Sequence, residues 1–287
     1  MTSFAERMGL RAARSITQRD DLDGETRTEL WNVLVNLRNY FRHVSDESYG
    51  SDTTEGRLLD AIWAWEFKKP RDEMRGEENA WAAIKASVLN AEWYEVLDMV
   101  EAIVKYLERY ETARTAELRD LFAEGFNISF ERYLVGYRFI GNEITPIDSA
   151  AEAETVVTAQ ENAQGIPGAR HSLNRAVELL ADRQNPDYPN SIKESISAVE
   201  SIVKKVTGEG TLGAGLGKLE AAGLTIHPAL RAAWSKMYGW TSDANGIRHA
   251  GIEAADADQA IAKYVLVVCS AFVSYLIEEG RRTGLLE

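Results

Sequence analysis

The sequence predicts a mainly α-helical protein, with a helical N-terminal domain that ends in a short β-hairpin and a second helical bundle after it. Apolar residues recur at intervals of three and four along most of the chain, which is helical spacing. Capping residues, glycines and prolines divide these stretches into helices of ordinary length. One short stretch differs, because strand-forming residues flank a Gly-Asn pair on both sides.

Composition and charge limit the classes of protein to consider. The 287 residues, 45% hydrophobic and 27% charged, are typical of a globular chain with room for two domains. A net charge of −13 argues against broad attraction to nucleic acid or anionic membrane and leaves only a small local basic patch for RNA contact. The single cysteine, Cys269, excludes a disulfide framework and a multi-cysteine zinc site.

The sequence also indicates a compartment. Residues 1–15 have no continuous apolar core, so we predict no secretory signal. The most apolar run, residues 264–277, is too short to span a bilayer and contains Ser270 and Ser274. We therefore expect a buried helix there, a cytoplasmic protein and no membrane partner.

The N-terminal half is predicted to be a series of helices. Asp20, Asp21 and Asp23 favour the start of the first helix, where carboxylates complement the helix dipole. A polar loop over 45–54 follows, and a second helix runs from about Glu55 to a stop before Pro70. The remaining predictions are a charged, solvated stretch over 71–80, helices over 78–89 and 92–112, and a short helix from Leu118 that ends near Gly125.

The hairpin and a connecting segment come next. The predicted strands lie over 133–140 and 143–147, joined by Gly141-Asn142. Ser149 and Glu152 form a capping-box pattern that begins a helix over 149–164, and residues 165–168 break it. We accordingly divide the chain into an N-terminal domain over 1–148, a connecting helix and linker over 149–168, and a C-terminal domain over 169–287.

The C-terminal half is predicted to be helical throughout. Ser191 and Glu194 form a second capping-box pattern, and the glycine-rich residues 208–217 are interpreted as a flexible connection to a short helix with Leu216 and Leu219. A polar loop over 242–251 precedes the final helix, which begins at about Asp258. The other predicted helices lie over 169–183, 190–207 and 228–238.

The polar loop carries the leading candidate site. A histidine such as His249 can move a proton near neutral pH, and an arginine such as Arg248 can hold a phosphate through paired donors. With the ribose 2′-hydroxyl as internal nucleophile, this pair suffices for RNA cleavage without a metal. We assign Asp243 to orienting the pair, and Asn245, Lys193 and Glu194 to substrate binding. The alternative is structural: Arg248 pairs with Asp243 or Glu253, and His249 anchors the last helix.

Other histidines give weaker candidates. Arg38 and His43 lie five residues apart, which turns their side chains about 140° from each other on a continuous helix. His171 and His227 lie at predicted helix starts. Four dispersed histidines without a His-x-x-x-His pair do not support a transition-metal site, so no metal and no cofactor are predicted.

Several motifs resemble a known family. Residues 4–10 (FAERMGL), 29–34 (ELWNVL) and the hairpin 134–147 resemble the N-terminal domain of AbiJ-type abortive-infection proteins. Residues 176–183 (AVELLADR), 187–196 (DYPNSIKESI), 238–243 (YGWTSD) and 246–250 (GIRHA) resemble their C-terminal HEPN-like helical domain. The resemblance implies bacterial antiphage defence, in which HEPN domains commonly dimerise and act as metal-independent ribonucleases.

The HEPN signature differs here in one respect. It consists of an arginine, often followed by Asn, Asp or His, then four to six further residues, then the histidine, near the start of the last helix. Ser242, Asp243 or Ala244 occupies that place in this chain, and Arg248 is instead adjacent to His249. A divergent active site and an inactive binding version therefore both remain open.

The sequence thus supports a phage-defence protein whose C-terminal domain forms a homodimer and cleaves RNA through Arg248 and His249. A phage-derived trigger or an antitoxin would act on it, with the N-terminal domain sensing the trigger or restraining the nuclease. The alternative is a non-catalytic helical module that binds RNA or protein. A third hypothesis is a small-ligand binder with its pocket between the two halves.

Overall fold

The protein folds into two compact units, residues Met1–Ile144 and Thr145–Glu287. A computed structural model describes residues 17–44, 53–182, 186–243 and 257–286, together with Phe4 and Met8; only the backbone is described for Val44, Ser242 and Asp243. The described residues are mainly α-helical, as predicted, with one two-stranded sheet. The boundary between the units lies after Ile144, ahead of the segment expected to connect two domains.

The described part of the first unit contains five α-helices and the hairpin. A π-helical turn over Ile62–Glu66 continues α2, and a 3-10 turn over Arg71–Glu73 lies in the stretch predicted to be solvated. The elements are α1 (Gly24–Val44), α2 (Thr54–Ala61), α3 (Glu77–Asn90), α4 (Trp93–Arg109), α5 (Leu118–Arg132), β1 (Arg138–Ile140) and β2 (Glu143–Thr145).

The start of α1 is fixed by side-chain hydrogen bonds, as its aspartates predict. The Asp23 carboxylate accepts from the backbone N–H of Thr26 at 2.8 Å and from its hydroxyl at 2.9 Å. The Gln18 side chain donates to the Thr26 hydroxyl at 2.8 Å and to the carbonyl of Tyr133 at 2.7 Å. One amide therefore ties the beginning of α1 to the chain just after α5.

Helix α5 does not end near Gly125, so that prediction is wrong. It continues to Arg132 because Phe126 and Phe130 are fully buried on the same helix and both pack against the ring of Phe139 in β1. An internal glycine costs a helix about 1 kcal/mol, which is less than the burial of two phenylalanine side chains contributes. Tertiary packing overrides the local stop signal.

The predicted hairpin is present but its first strand is shorter than expected, since it begins at Arg138. The Asn127 side chain of α5 accepts from the backbone N–H of Phe139 at 2.7 Å and donates to its carbonyl at 3.1 Å. Gly141, in the turn, has a φ of 60°, which glycine adopts without strain. On the second strand the N–H of Ile144 donates to Glu101 of α4 at 2.7 Å.

The second unit consists of six described helices. Four of them, α6, α7, α8 and α11, pack against one another, while α9 and α10 lie beside α8. The elements are α6 (Ala150–Asn162), α7 (Pro167–Ala181), α8 (Tyr188–Thr207), α9 (Leu212–Leu216), α10 (Pro228–Asp243) and α11 (Gln259–Arg282).

The capping box predicted at the start of α8 is wrong. Asp187 caps the helix, because its carboxylate accepts from the N–H of Asn190 at 3.1 Å. Ser191 lies inside the helix, fully buried, and donates to the carbonyl of Ala176 in α7 at 2.8 Å. The serine thus joins two helices. At α6 the predicted helix start and the Ser149 cap are confirmed, since the Ser149 hydroxyl accepts from the N–H of Glu152, while the Glu152 carboxylate binds Lys263.

The glycine-rich segment is packed and partly helical instead of a flexible connection. Gly208 has a φ of 77° and ends α8 in the left-handed conformation that glycine favours. Gly215, within α9, lies so close to α8 that an added Cβ would be 2.3 Å from Cγ1 of Val203. Leu216 and Leu219 are buried, as expected from their spacing.

Helix α11 extends beyond the apolar run 264–277, so the expectation that this segment is too short to span a bilayer is wrong: among the described helices it alone is long and apolar enough to cross a membrane, judged by length and composition. Half of its most apolar stretch is buried inside the protein, as in the core helix of a globular fold. Cys269 lies on this buried side, where burial raises the pKa of its thiol. The prediction of a buried helix around Cys269 is confirmed.

The Gly215 contact predicts that alanine substitutions at two glycines of the same segment change the stability of the protein by different amounts. Gly215→Ala should lower the free energy of unfolding by about 1–3 kcal/mol, because Val203 is buried and has few rotamers available. Gly210→Ala, which adds a Cβ with no atom within 4 Å, should change it by less than about 0.5 kcal/mol. Urea unfolding measures both, and equal losses would contradict the packing argument.

A buried carboxyl in the first unit predicts a pH dependence. Glu55 is 8% exposed and accepts from Nε1 of Trp81 at 2.7 Å. Burial raises the pKa of Glu55 above its ordinary value of 4.5, and the Trp81 hydrogen bond opposes only part of that effect. The folded state therefore holds this proton where the unfolded chain loses it, so stability falls as pH rises from 4.5 through the folded-state pKa.

Glu55→Gln should remove this part of the pH dependence and leave the protein at least as stable at pH 7. Urea unfolding at several pH values between 4.5 and 7 measures it, with the exposed Glu161→Gln as matched control. A stability difference between wild type and Glu55→Gln that is constant over this range would refute the prediction.

Candidate functional site

The predicted catalytic segment joins α10 to α11. Asp243 is the last residue of α10, so the polar loop begins later than predicted. The helix continues because Thr241 is fully buried and donates to the carbonyl of Tyr238 at 2.9 Å. Asn245, Arg248 and His249 lie outside the described residues.

Helix α11 begins where the sequence predicts. The carboxylate of Asp258 accepts from the N–H of Ile261 at 2.9 Å and caps the helix. The ammonium of Lys263, one turn further, lies 3.0 Å from the carboxylates of both Asp148 and Glu152. Burial alone would lower the pKa of Lys263, but the bonds to these two carboxylates outweigh it and raise the pKa. This ion triad fixes the start of α11 against α6.

Helices α10 and α11 are held together by an aromatic stack. The rings of Trp234 and Phe272 lie 13° from parallel with centroids 3.9 Å apart, and both side chains are 5% exposed. The stack therefore fixes the distance between α10 and α11, the two helices that residues 244–256 connect.

A groove of about 510 Å³ lies between α10 and α11. Its floor is apolar, and two aromatic side chains at its edge stay accessible: Trp240 is 39% exposed and Tyr264 is 55% exposed. Lys236, four residues before Trp240 on α10, adds a positive charge. The lining residues are Ala233, Trp234, Lys236, Met237, Trp240, Ile261, Tyr264 and Val268.

The predicted substrate-binding residues of α8 are separate from this groove lining. Lys193 is exposed and Glu194 is half-buried, both in the first turns of α8. The Asp243 side chain lies outside the described part of the structure.

Two of the weaker candidates, Arg38 and His227, make local structural contacts. Arg38 forms an ion pair with Glu78, which Arg42 contacts as well at 3.0 Å. His43 is exposed near the end of α1. His227 is exposed at the start of α10, where its Nδ1 accepts from the N–H of Ala229 at 3.2 Å. Among the described residues, no group of three or more His, Cys, Asp or Glu side chains is arranged to hold a metal ion.

Sequence reasoning missed the groove residues. Trp240 lies at the margin of the predicted polar loop, and Tyr264 begins the apolar run 264–277, for which a buried helix is predicted. The available signal was the spacing of Lys236 and Trp240, which puts a cation and an aromatic ring on one face of α10. Spacing alone does not reveal which side of a helix its neighbours leave uncovered.

Two tryptophans of α10 provide a matched test of this geometry. Trp234→Ala should lower the free energy of unfolding by about 3 kcal/mol or more, because it removes a buried ring from the Phe272 stack. Trp240→Ala should cost less than about 1 kcal/mol, since its ring lies at the groove edge. Chemical denaturation measures both values, and a larger loss for Trp240→Ala would contradict the description of the groove.

Comparison with known families supports the first part of the resemblance. The family model described as AbiJ N-terminal domain 4 matches residues 2–162, more than half of the chain. No curated protein and no solved structure matches the chain. The matched stretch includes the first unit and continues through α6 of the second. The chain therefore belongs to the AbiJ N-terminal domain 4 family, which indicates a role in abortive infection.

Proposed function

We propose that the protein is an abortive-infection endoribonuclease whose HEPN-like C-terminal domain cleaves RNA without a metal ion. The observation that carries the proposal is the groove with its aromatic edge between α10 and α11, the two helices that residues 244–256 join. The Arg248-His249 pair is thus covalently attached to both walls of a surface suited to RNA bases.

The groove residues match the way proteins hold single-stranded RNA. Unpaired bases stack on aromatic side chains, and such stacking contributes about 1–3 kcal/mol per base. Trp240 and Tyr264 offer exposed rings for two bases, and Lys236 offers a charge to the phosphates. Local features of this kind allow RNA contact in a chain with a net charge of −13.

The proposed chemistry is an internal phosphoryl transfer. His249 takes the proton of a ribose 2′-hydroxyl, the 2′-oxygen attacks the adjacent phosphorus, and the bond to the 5′-oxygen breaks. The protonated His249 then gives its proton to the departing 5′-oxygen, which leaves as a hydroxyl, and the other fragment keeps a 2′,3′-cyclic phosphate. Arg248 holds the phosphate, Asp243 orients the pair, and Asn245, Lys193 and Glu194 contact the substrate.

We extend the proposal to assembly and control. Half of the apolar stretch of α11 is not buried in its own unit, which favours a second copy of the chain as partner in a homodimer. The N-terminal domain then senses a phage-derived trigger or restrains the nuclease, alone or with an antitoxin.

Incubation of the full-length protein with single-stranded RNA in excess EDTA tests the proposal. Wild type should produce fragments ending in 2′,3′-cyclic phosphate and 5′-hydroxyl, because the 2′-oxygen is the nucleophile. His249→Ala and Arg248→Ala should each lower the cleavage rate by about 100-fold or more. Trp240→Ala should raise KM with little change in kcat, because the Trp240 ring binds a base of the substrate at a distance from the reacting atoms.

His227→Ala is the matched control and should cleave like wild type, because His227 lies at the other end of α10. Helical circular dichroism checks that each variant is folded. Loss of the fold in His249→Ala or Arg248→Ala would favour the structural alternative for this pair. Cleavage that persists undiminished in both folded variants would refute the site.

A further inference from the structure

A second candidate site lies in the N-terminal unit, around a surface pocket of about 440 Å³ lined by Arg57, Asp60, Arg71 and Tyr110. We call it the arginine pocket. Its volume is within the range of small-molecule sites, about 300–1,000 Å³. Both arginines are exposed, and Asp60 is the acidic side chain of the lining.

Aromatic rings beside the pocket contact Arg71, one of its two arginines, and the neighbouring Arg109. The guanidinium of Arg71 lies 5.9 Å from the ring centre of Trp65. The guanidinium of Arg109 lies 5.2 Å from the same ring and 5.7 Å from that of Tyr110. These cation–π contacts order side chains that are otherwise mobile, which lowers the entropic cost of binding a ligand. Layered rings and guanidinium planes are also the surfaces on which nucleobases stack.

The nearby carboxylates leave donors available. Asp60 accepts from Nη1 of Arg71 at 2.5 Å, but a guanidinium has five N–H donors and this bond uses one. Glu66 accepts from the hydroxyl of Tyr106 at 2.6 Å. An incoming phosphate would therefore meet Arg71 with donors to spare, beside the exposed Arg57.

The backbone at this place is unusual in two ways. Ile62–Glu66 form a π-helical turn, closed by the N–H of Phe67 donating to the carbonyl of Ile62 at 3.0 Å. Lys68 then has a φ of 53°, a conformation that non-glycine residues seldom adopt. Single π-turns and strained residues are enriched at functional sites. Core packing accounts for buried Ile62 and Trp63, but not for Trp65, which is 45% exposed.

We propose that the arginine pocket binds a nucleotide, with its phosphate on Arg57 and Arg71 and its base stacked on the Trp65 and Arg109 layer. The site is distinct from the proposed nuclease site and does not depend on it. The same chemistry is offered by a free mononucleotide and by the 5′-phosphorylated end of an RNA strand. In either case the N-terminal unit would detect a nucleotide by binding it in this pocket.

Isothermal titration calorimetry with the full-length protein tests the proposal. The probes are the four ribonucleoside 5′-monophosphates, adenosine, ribose 5-phosphate, and a tetraribonucleotide with and without a 5′-phosphate. At least one monophosphate or the phosphorylated tetramer should bind, and its partner lacking base or phosphate should bind at least about tenfold more weakly. Binding of a monophosphate identifies a free nucleotide as the ligand, and binding of the phosphorylated tetramer alone identifies an RNA end.

Variants locate the binding. Arg57→Gln and Arg71→Gln should each weaken binding by about tenfold or more, and Trp65→Leu should weaken nucleotide binding without affecting ribose 5-phosphate. Arg75→Gln is the matched control, because it removes the same charge from an exposed arginine outside the pocket. Thermal melting shows which variants are folded, and a variant that does not fold is replaced by Tyr110→Leu.

Three outcomes would overturn the proposal. One is no detectable binding of any phosphorylated probe at millimolar concentration. Another is binding of ribose 5-phosphate as tight as that of the best nucleotide, which removes the role of the rings. The third is an equal loss in Arg75→Gln and Arg71→Gln, which places the binding outside the pocket.

Discussion

The one-sided burial of α11 is the constraint on which the second unit depends. One stripe of this helix packs against α6, α7 and α8 with almost no exposed surface. Since side chains three and four residues apart share a helix face, burying Val265, Leu266 and Cys269 turns Ile261, Tyr264 and Val268 toward α10. The groove is thus a consequence of how the core is filled. The ion triad at Lys263 fixes the same rotation at the first turn of the helix.

Much of this fold follows from the sequence because periodicity and caps act locally. Asp23, Ser149 and Asp258 all cap the helices that their positions predict. The errors arose where a local signal competed with packing. Gly125 and Ser191 match stop and start patterns, yet each lies inside a helix whose buried neighbours contribute more free energy than the pattern.

The candidate sites were less predictable than the helices. The chemistry of Arg248 and His249 can be argued from residue types, but Trp240 and Tyr264 became candidates only when their exposure was known. The arginine pocket depends on contacts of Trp65 with Arg71 and with Arg109, and Arg109 is far from Trp65 in the chain. A periodic pattern gives the face on which a residue lies, but not which other helix covers that face.

The position of α6 has a practical consequence for dividing the protein. The family match ends at residue 162, yet α6 packs on α11 and supplies Glu152 to the ion triad, so it belongs physically to the second unit. A fragment that begins at residue 163 would uncover an apolar strip of α11 and leave the Lys263 ammonium without its partners. Such a piece would tend to aggregate, whereas one cut near residue 145 keeps the bundle whole.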